Sequence, residues 1–319
     1  MDVIYLDQNH WISIARAKAG KGAEDIQDLY RRGLRAVATG RAIFPLSLSH
    51  ILETSKRNDA ESRWNLASAQ AVLSRGYVYR SRTARIEAEV KDLLCNRFGL
   101  EASVRAPRWA LVPSFWQAFA PLDSLVATHG GNALPEAPQS SQSPAEAYLN
   151  FMTGQDDGER RHAHAMLSKL ADKAVSDIEE RRIRLRGIPV ELRVRVMSAT
   201  LFNEQQELFQ RVLSDLNKSI TDLVALGDCA ITSLITNTPT LSIEAELSAR
   251  REAETGKISP NDLFDMQAMY TSIPYSTHVI AEKASISRAR QAGLGRKYRV
   301  NLSSSLDTLL DCESFAQFD

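Results

Sequence analysis

Cysteine is scarce in this chain, and its three copies form no pattern. Cys95, Cys229 and Cys312 lie far apart in the 319 residues. They make no CxxC pair and no zinc-ligand spacing, and an odd number argues against a disulfide framework, so all three read as reduced core thiols. Long apolar runs are missing too. No stretch reaches the ~18 residues that a membrane helix needs, and Asp2 and Asp7 bracket the first apolar run, which excludes a signal peptide. The expectation is a cytoplasmic protein with no membrane partner. Net charge is absent as well: Lys plus Arg and Asp plus Glu both number 39. Any contact with nucleic acid must then rest on local patches rather than on a global basic field. There is no Gly-rich phosphate loop, no GxSxG elbow and no HExxH helix, so the signatures of nucleotide, ester and zinc-dependent hydrolysis are missing.

What is present is ordinary globular material, 44% apolar and 24% charged, in a chain long enough for one or two domains. Val3-Ile4-Tyr5-Leu6 reads as a strand. Trp11, Ile12, Ile14 and Ala15 then recur at helical spacing. A helix is predicted over 24–38, stopped by Gly40, followed by a strand at Ala42-Ile43-Phe44 ended by Pro45. Helices from about Ser49 and over 60–73 come next, and Tyr77-Val78-Tyr79 is a candidate third strand. From Arg82 to Asn237 almost nothing alternates, and helical patterns such as 145–185 and 190–216 dominate. Residues 132–143, with Pro135, Pro138 and a serine-glutamine run, read as a mobile linker. Strand-forming segments return at Thr277 to Ala281 and at Tyr298 to Asn301, with a helix near 284–292 between them. Short apolar strands separated by helices imply a parallel sheet covered on both faces.

In such a sheet, ligands sit at the carboxyl ends of the strands, and acids recur there. Asp7 follows the first strand. Glu53 lies on the helix after the second. Asp262 and Asp265 open the helix before a late strand, three apart and so on one face. Glu282 follows that late strand. Carboxylates converging on one edge repel one another, and hard cations such as Mg²⁺ or Mn²⁺ neutralise such clusters. Each acid also has a local explanation. Asp7 and Asp262 suit helix caps, Asp265 suits a helix dipole, and Glu53 and Glu282 suit a solvated surface.

The opening Ile4-Tyr5-Leu6-Asp7-Gln8-Asn9-His10-Trp11-Ile12 resembles the first strand and turn of the PIN-like domain family. The segment from Asn261 to Asp265, with Pro274-Tyr275 through Glu282-Lys283, resembles that family's later acidic motifs. The matching parts cover about half the chain. The resemblance implies an α/β fold, a Rossmann-like PIN-type parallel sheet flanked by helices, interrupted by a large α-helical insertion. It divides the chain into 1–81 and 238–319 as the two parts of the PIN-like domain, with 82–237 as the helical insertion. It implies a Mg²⁺- or Mn²⁺-dependent ribonuclease with Asp7, Glu53, Asp265 and Glu282 catalytic, and Asp7, Asp262, Asp265 and Glu282 holding metal. Asn9 matches a residue that supports the first aspartate. Glu282 stands where many members carry Asp, one methylene shorter.

Substrate contact needs cations. Lys283, Arg288, Arg290, Arg296, Lys297 and Arg299 fall between positions 283 and 300 with no acid among them, and the first five are the candidate contacts to a phosphate backbone. A solvated face is the alternative for this run. His10 and His50 read as structural, and His162 and His164, two apart on a helix, point to different sides. The leading expectation is an endoribonuclease of a toxin or defence system, acting on RNA, with single-stranded DNA as the other substrate. The competing expectation is a non-catalytic PIN-like module that binds nucleic acid, or a protein through the insertion.

Overall fold

A computed structural model of the chain describes residues 1–101, 105–119, 142–154, 156–227 and 229–316. Most of the stretch read as a mobile linker lies outside them. Asp2–Leu6 is β1, Gln8–Lys18 α1, Glu24–Ala38 α2, Ala42–Ile43 β2, Leu48–Ser55 α3 and Ala60–Ser74 α4. Val78–Tyr79 is β3, Arg82–Phe98 α5 and Leu111–Val112 β4. Then come Pro144–Gly154 (α6), Asp157–Arg184 (α7), Val190–Glu204 (α8), Gln206–Asp215 (α9), Ile220–Ala225 (α10), Cys229–Thr236 (α11), Pro239–Ala253 (α12) and Pro260–Ser272 (α13). The last regular elements are His278–Ile280 (β5), Lys283–Gln291 (α14), Leu294–Tyr298 (α15) and Asn301–Ser303 (β6), followed by single 3₁₀ turns.

Four strands form one parallel sheet in the order β2-β1-β5-β6. Ile4 pairs with His278 and Leu6 with Ile280. The two segments therefore finish at the same edge, where Asp7 and Glu282 begin. Side chains alternate across the sheet. Ile4, Leu6 and Ile280 pack on one face with Trp11, Ile14, Leu29 and Phe44. Val3, Tyr5 and Val279 pack on the other with Ile243, Met269 and Ile286. Ile4, Leu6, Val279 and Ile280 are fully buried, each worth roughly 1.5–3 kcal/mol relative to exposure. The architecture is thus mixed α/β with helices on both sides of a parallel sheet.

Three sequence expectations need correction. The third strand does not join the parallel sheet: β3 pairs antiparallel with β4, a strand inside the region read as almost entirely helical, and an isolated bridge joins Val78 to Leu46 after β2. Two-residue strands are too short to show any alternation, which is why β4 left no signal. The strand read from Tyr298 starts at Asn301, because Gly293 turns the chain through a positive φ of 67° and a new helix runs over Leu294–Tyr298. Of the cysteines, Cys95 is buried but Cys229 is exposed and Cys312 half-buried.

The helical region has its own core, in which Ile86, Val90 and Leu94 meet Leu201, Phe209 and Leu234. It is tied to the sheet by α12, whose Ile243 and Leu247 face the sheet while Leu241, Ala245 and Ala249 face the helical core. No described helix is long and apolar enough to cross a membrane.

Gly76, in the turn before β3, joins the first part of the chain to α6. Its φ is +77°, and a Cβ there would stand 2.3 Å from the Pro144 carbonyl carbon. Both the left-handed backbone and the contact forbid a side chain. Gly76→Ala is expected to lower the unfolding free energy by about 2–4 kcal/mol in urea titration. Gly40→Ala also has a positive φ but an open surrounding, and should cost less.

Candidate metal centre at the carboxyl edge of the sheet

The carboxyl edge gathers its acids from four elements. Asp7 leaves β1 directly. Glu53 lies in the second turn of α3, which starts at this edge because β2 runs parallel to β1. Asp265 sits in the second turn of α13, whose N-terminus is at the same edge because the helix leads back to the start of β5. Glu282 is the N-cap position of α14. All four line one open cleft of about 490 Å³, together with Gln8, Asn9 and Asp262. Beneath it, a cavity of about 20 Å³ is lined by Asp7, Glu53, Asp265 and Glu282 again. That volume suits a single water-sized body.

The two oxygens of Asp7 do different things. The His10 backbone N–H donates to Oδ1 at 3.1 Å, so Asp7 is the N-cap of α1. His10, read as structural, keeps its ring Nε2 3.9 Å from the same oxygen. The Glu282 amide also approaches this carboxylate, yet Oδ2 is buried without a hydrogen bond of normal geometry. Oε1 of the neighbouring Gln8 is a second buried acceptor with no partner, while its Nε2 donates to Thr54 at 3.2 Å. Two orphaned acceptors in one acidic cleft are what a hard cation would satisfy. Among the described residues, however, no three His, Cys, Asp or Glu side chains are arranged to hold a metal as they stand.

Electrostatics records the burial of these acids and the repulsion among them. Burial, then the charges of Asp265 and Asp7, push Glu53 up to about 7, against a small opposing effect of Lys56 and Arg57. Burial, then Glu282, Asp7 and Asp262, push Asp265 up to about 7. Asp7 is also raised, mainly by burial. His50 is tied by burial and by the capping box of α3, where its Nδ1 accepts from the Ser47 amide at 3.0 Å. Its pKa falls to about 3, so it stays neutral and donates no charge to the cleft.

Asn9 and Asp262 depart from the sequence reading. Asn9 donates to Glu282 Oε1 at 2.8 Å, so it supports the last acid rather than the first. Asp262 lines the cleft, but Oδ1 accepts from Arg251 Nε at 2.8 Å and Oδ2 accepts from the Ser259 amide and hydroxyl at 2.8 and 2.7 Å. Burial alone would raise its pKa, but these bonds outweigh it and bring it down to about 2. Asp262 is a capping-box residue already paired with a cation, not an open ligand.

The cations expected near Glu282 do not line the cleft either. Arg288 is buried against Glu254 at 2.9 Å, Arg290 donates to the Leu302 carbonyl, and Lys297 donates to Ser242 at 2.8 Å. Lys283 and Arg296 are exposed. The reason is direction: α14 carries its charges away from the edge at about 1.5 Å per residue. The cations in the cleft are Lys56 and Arg57, which the sequence reading missed. Their spacing of three and four from Glu53 was the available signal.

A larger cavity, about 830 Å³, lies between α7 and the end of α12. Two of its arginines are already engaged: Arg182 pairs with Glu179, and Arg193 donates to the carbonyls of Leu185, Ile188 and Glu252. No protein-family model, curated protein or solved structure matches the chain.

A carboxyl group whose folded pKa is raised stabilises the fold fully below its unfolded pKa, and that contribution is lost as pH rises through the folded value. For Glu53 and Asp265 the loss falls between about pH 4 and about pH 7. His50 slopes the opposite way, since a depressed histidine loses stability as pH falls. Comparing Asp265→Asn with wild type cancels the histidine. The melting temperature of the metal-free variant should equal that of wild type at about pH 4 and exceed it by a growing margin up to about pH 8. A margin that shrinks with pH would contradict the crowding.

Proposed function

We propose that the chain is a Mg²⁺- or Mn²⁺-dependent nuclease that hydrolyses phosphodiester bonds of RNA, as its resemblance to the PIN-like family implies. The observation that carries this reading is the convergence of Asp7, Glu53, Asp265 and Glu282 on one small cavity, with an unpartnered Asp7 oxygen among them. Asp7, Asp265 and Glu282 offer the hard oxygen ligands, and a cation would offset the burial and the like charges that raise the pKa values of Asp7 and Asp265. When bound, the ion supplies Lewis-acid chemistry, neutralising phosphate charge and making water more acidic.

The chain's own groups do the rest. The His10 amide holds Asp7 Oδ1, and Oδ2 is buried without a hydrogen bond of normal geometry. Asn9 fixes the longer Glu282 arm through Oε1. Glu53, a carboxylate lining the same small cavity, is placed to accept a proton from water. No histidine lines the cleft among the described residues, so a carboxylate takes the place of a histidine base. Lys56 and Arg57 stand on the same wall as Glu53 and are placed to receive the substrate's phosphates.

The deciding experiment incubates purified protein with labelled single-stranded RNA and DNA in Mn²⁺, Mg²⁺ or EDTA. Asp7→Asn keeps the helix cap and removes one charge. It should lower RNA cleavage about 100-fold or more and weaken Mn²⁺ binding, while the metal-free melting temperature holds or rises. Metal-dependent cleavage that survives both Asp7→Asn and Asp265→Asn sinks the reading. A wild type that binds RNA under every divalent ion without cutting it makes the chain a binding module instead.

Lys56→Ala and Arg57→Ala should raise KM for RNA and leave Mn²⁺ affinity intact. Each should also reduce the slope of log binding against log salt by roughly one. If instead Lys283→Ala produces these effects and the two cleft variants do not, the substrate path follows α14.

A further inference from the structure

Arg251 is a buried cation near an acidic cleft that it does not line. From the last turns of α12 it makes contacts in two directions. Nε donates to Asp262 Oδ1 at 2.8 Å, and Nη2 donates to the Lys257 carbonyl at 2.7 Å. Nη1 reaches the Gly256 carbonyl at 3.4 Å and a Glu254 carboxylate oxygen at 3.5 Å. The guanidinium thereby ties the loop after α12 to the first turn of α13. The other oxygen of Asp262 closes the capping box with Ser259, so both its oxygens are committed, one to Arg251 and one to the helix start.

This geometry points beyond simple ion pairing. An Arg–Asp pair buried only for stability is often no better than a hydrophobic pair of the same volume. What a planar guanidinium with several fixed donors adds is direction. Asp265 lies one turn after Asp262 on the same face of α13, so the rotation and tilt of that first turn set where Asp265 presents its carboxylate. The platform beneath is packed: Ile243 and Leu247 of α12 share a core with Met269 of α13 and with Ile273, which follows it. The remaining freedom of the helix start is what Arg251 removes.

We propose that Arg251 is a positioning residue for the carboxylate cleft, acting through Asp262 to orient Asp265 without touching substrate or ion. The inference rests on the metal-dependent reading of the cleft. It gives Asp262 a new role, the handle by which α13 is held rather than a ligand, and makes the loop over residues 254–258 part of the catalytic framework.

A double-mutant cycle of Arg251→Met and Asp262→Asn tests it. Mn²⁺ affinity is read by electron paramagnetic resonance of the free ion, and kcat and KM on single-stranded RNA are measured in parallel. Removing a group that orients a ligand typically weakens metal binding or activity about 10–100-fold. Each single variant should show such a loss in Mn²⁺ affinity and kcat, with KM unchanged, and the double variant should be no worse than the poorer single. A structural role alone would lower the melting temperature and leave the Mn²⁺ affinity of the folded protein unmoved. Arg251→Met with wild-type Mn²⁺ affinity overturns the proposal, as do additive losses. Asp262→Asn weakening Mn²⁺ far more than Arg251→Met also overturns it, since Asp262 would then be a ligand. A wild type that binds no Mn²⁺ removes the metal reading itself, and this inference with it. Should Arg251→Met fail to fold, Arg251→Lys carries the same cycle, because it keeps the charge and loses the fixed fork of donors.

Discussion

Parallel pairing between Ile4–Leu6 and His278–Ile280 brings together segments from opposite ends of the chain. Thr277 ties them further, accepting from the Val3 amide and donating to its carbonyl across 274 positions of sequence. Much of the candidate site follows from this register. Parallel strands end together, so the residue after β1 and the second residue after β5 meet at one edge. The helix that leads into β5 must begin at that edge, and α3 begins there because β2 is also parallel to β1. Four acids from four elements are thereby forced into one small volume. The cost is burial together with like-charge repulsion, and both raise the pKa values of Glu53 and Asp265. Natural folds keep such strain where it has a use.

Local structural duty and chemistry share the same atoms here. Asp7 caps α1 with one oxygen and leaves the other without a partner. A cap and a ligand were competing explanations for this residue, yet a carboxylate has enough lone pairs for both. Asp262 shows the opposite outcome. Its cap and its pairing with Arg251 occupy both oxygens, and its negative charge is balanced by the guanidinium. Two acids that both serve as caps therefore differ in kind: Asp262 is balanced by a guanidinium, whereas Asp7 faces other carboxylates.

The helical region is built into the same packing that forms the sheet. Tyr148 on α6 donates to Gln70 at 2.7 Å, Thr54 donates to that same oxygen at 3.0 Å, and Gln8 donates to Thr54. This polar chain leads from α6 to the floor of the cleft. The long α7 supplies His164 and Leu167 to a small cavity shared with Glu53, Lys56 and Phe264. His164 bonds Ser55 at 2.9 Å, one residue before Lys56. Residues of the helical region thus buttress the wall that carries Glu53 and its neighbouring cations.

Apolar periodicity alone placed α2, α4, β1 and β5 to within a residue or two, because each is long enough or buried enough for a pattern to repeat. The order of acids after strand ends named Asp7, Glu53, Asp262, Asp265 and Glu282, since parallel topology converts that order into proximity. What sequence could not decide was direction. Asn9 turns to Glu282 and not to Asp7, and the cations after Glu282 run down α14 away from the edge. Asp262 is claimed by Arg251, eleven residues earlier and on another helix. Lys56 and Arg57 reach the cleft only because α3 ends beside it. Pairings across elements depend on helix rotation and on which partner lies within hydrogen-bond reach, and a linear pattern contains neither. Residue types and spacing determined that an acidic edge would exist; tertiary packing decided which of its charges are already answered by protein.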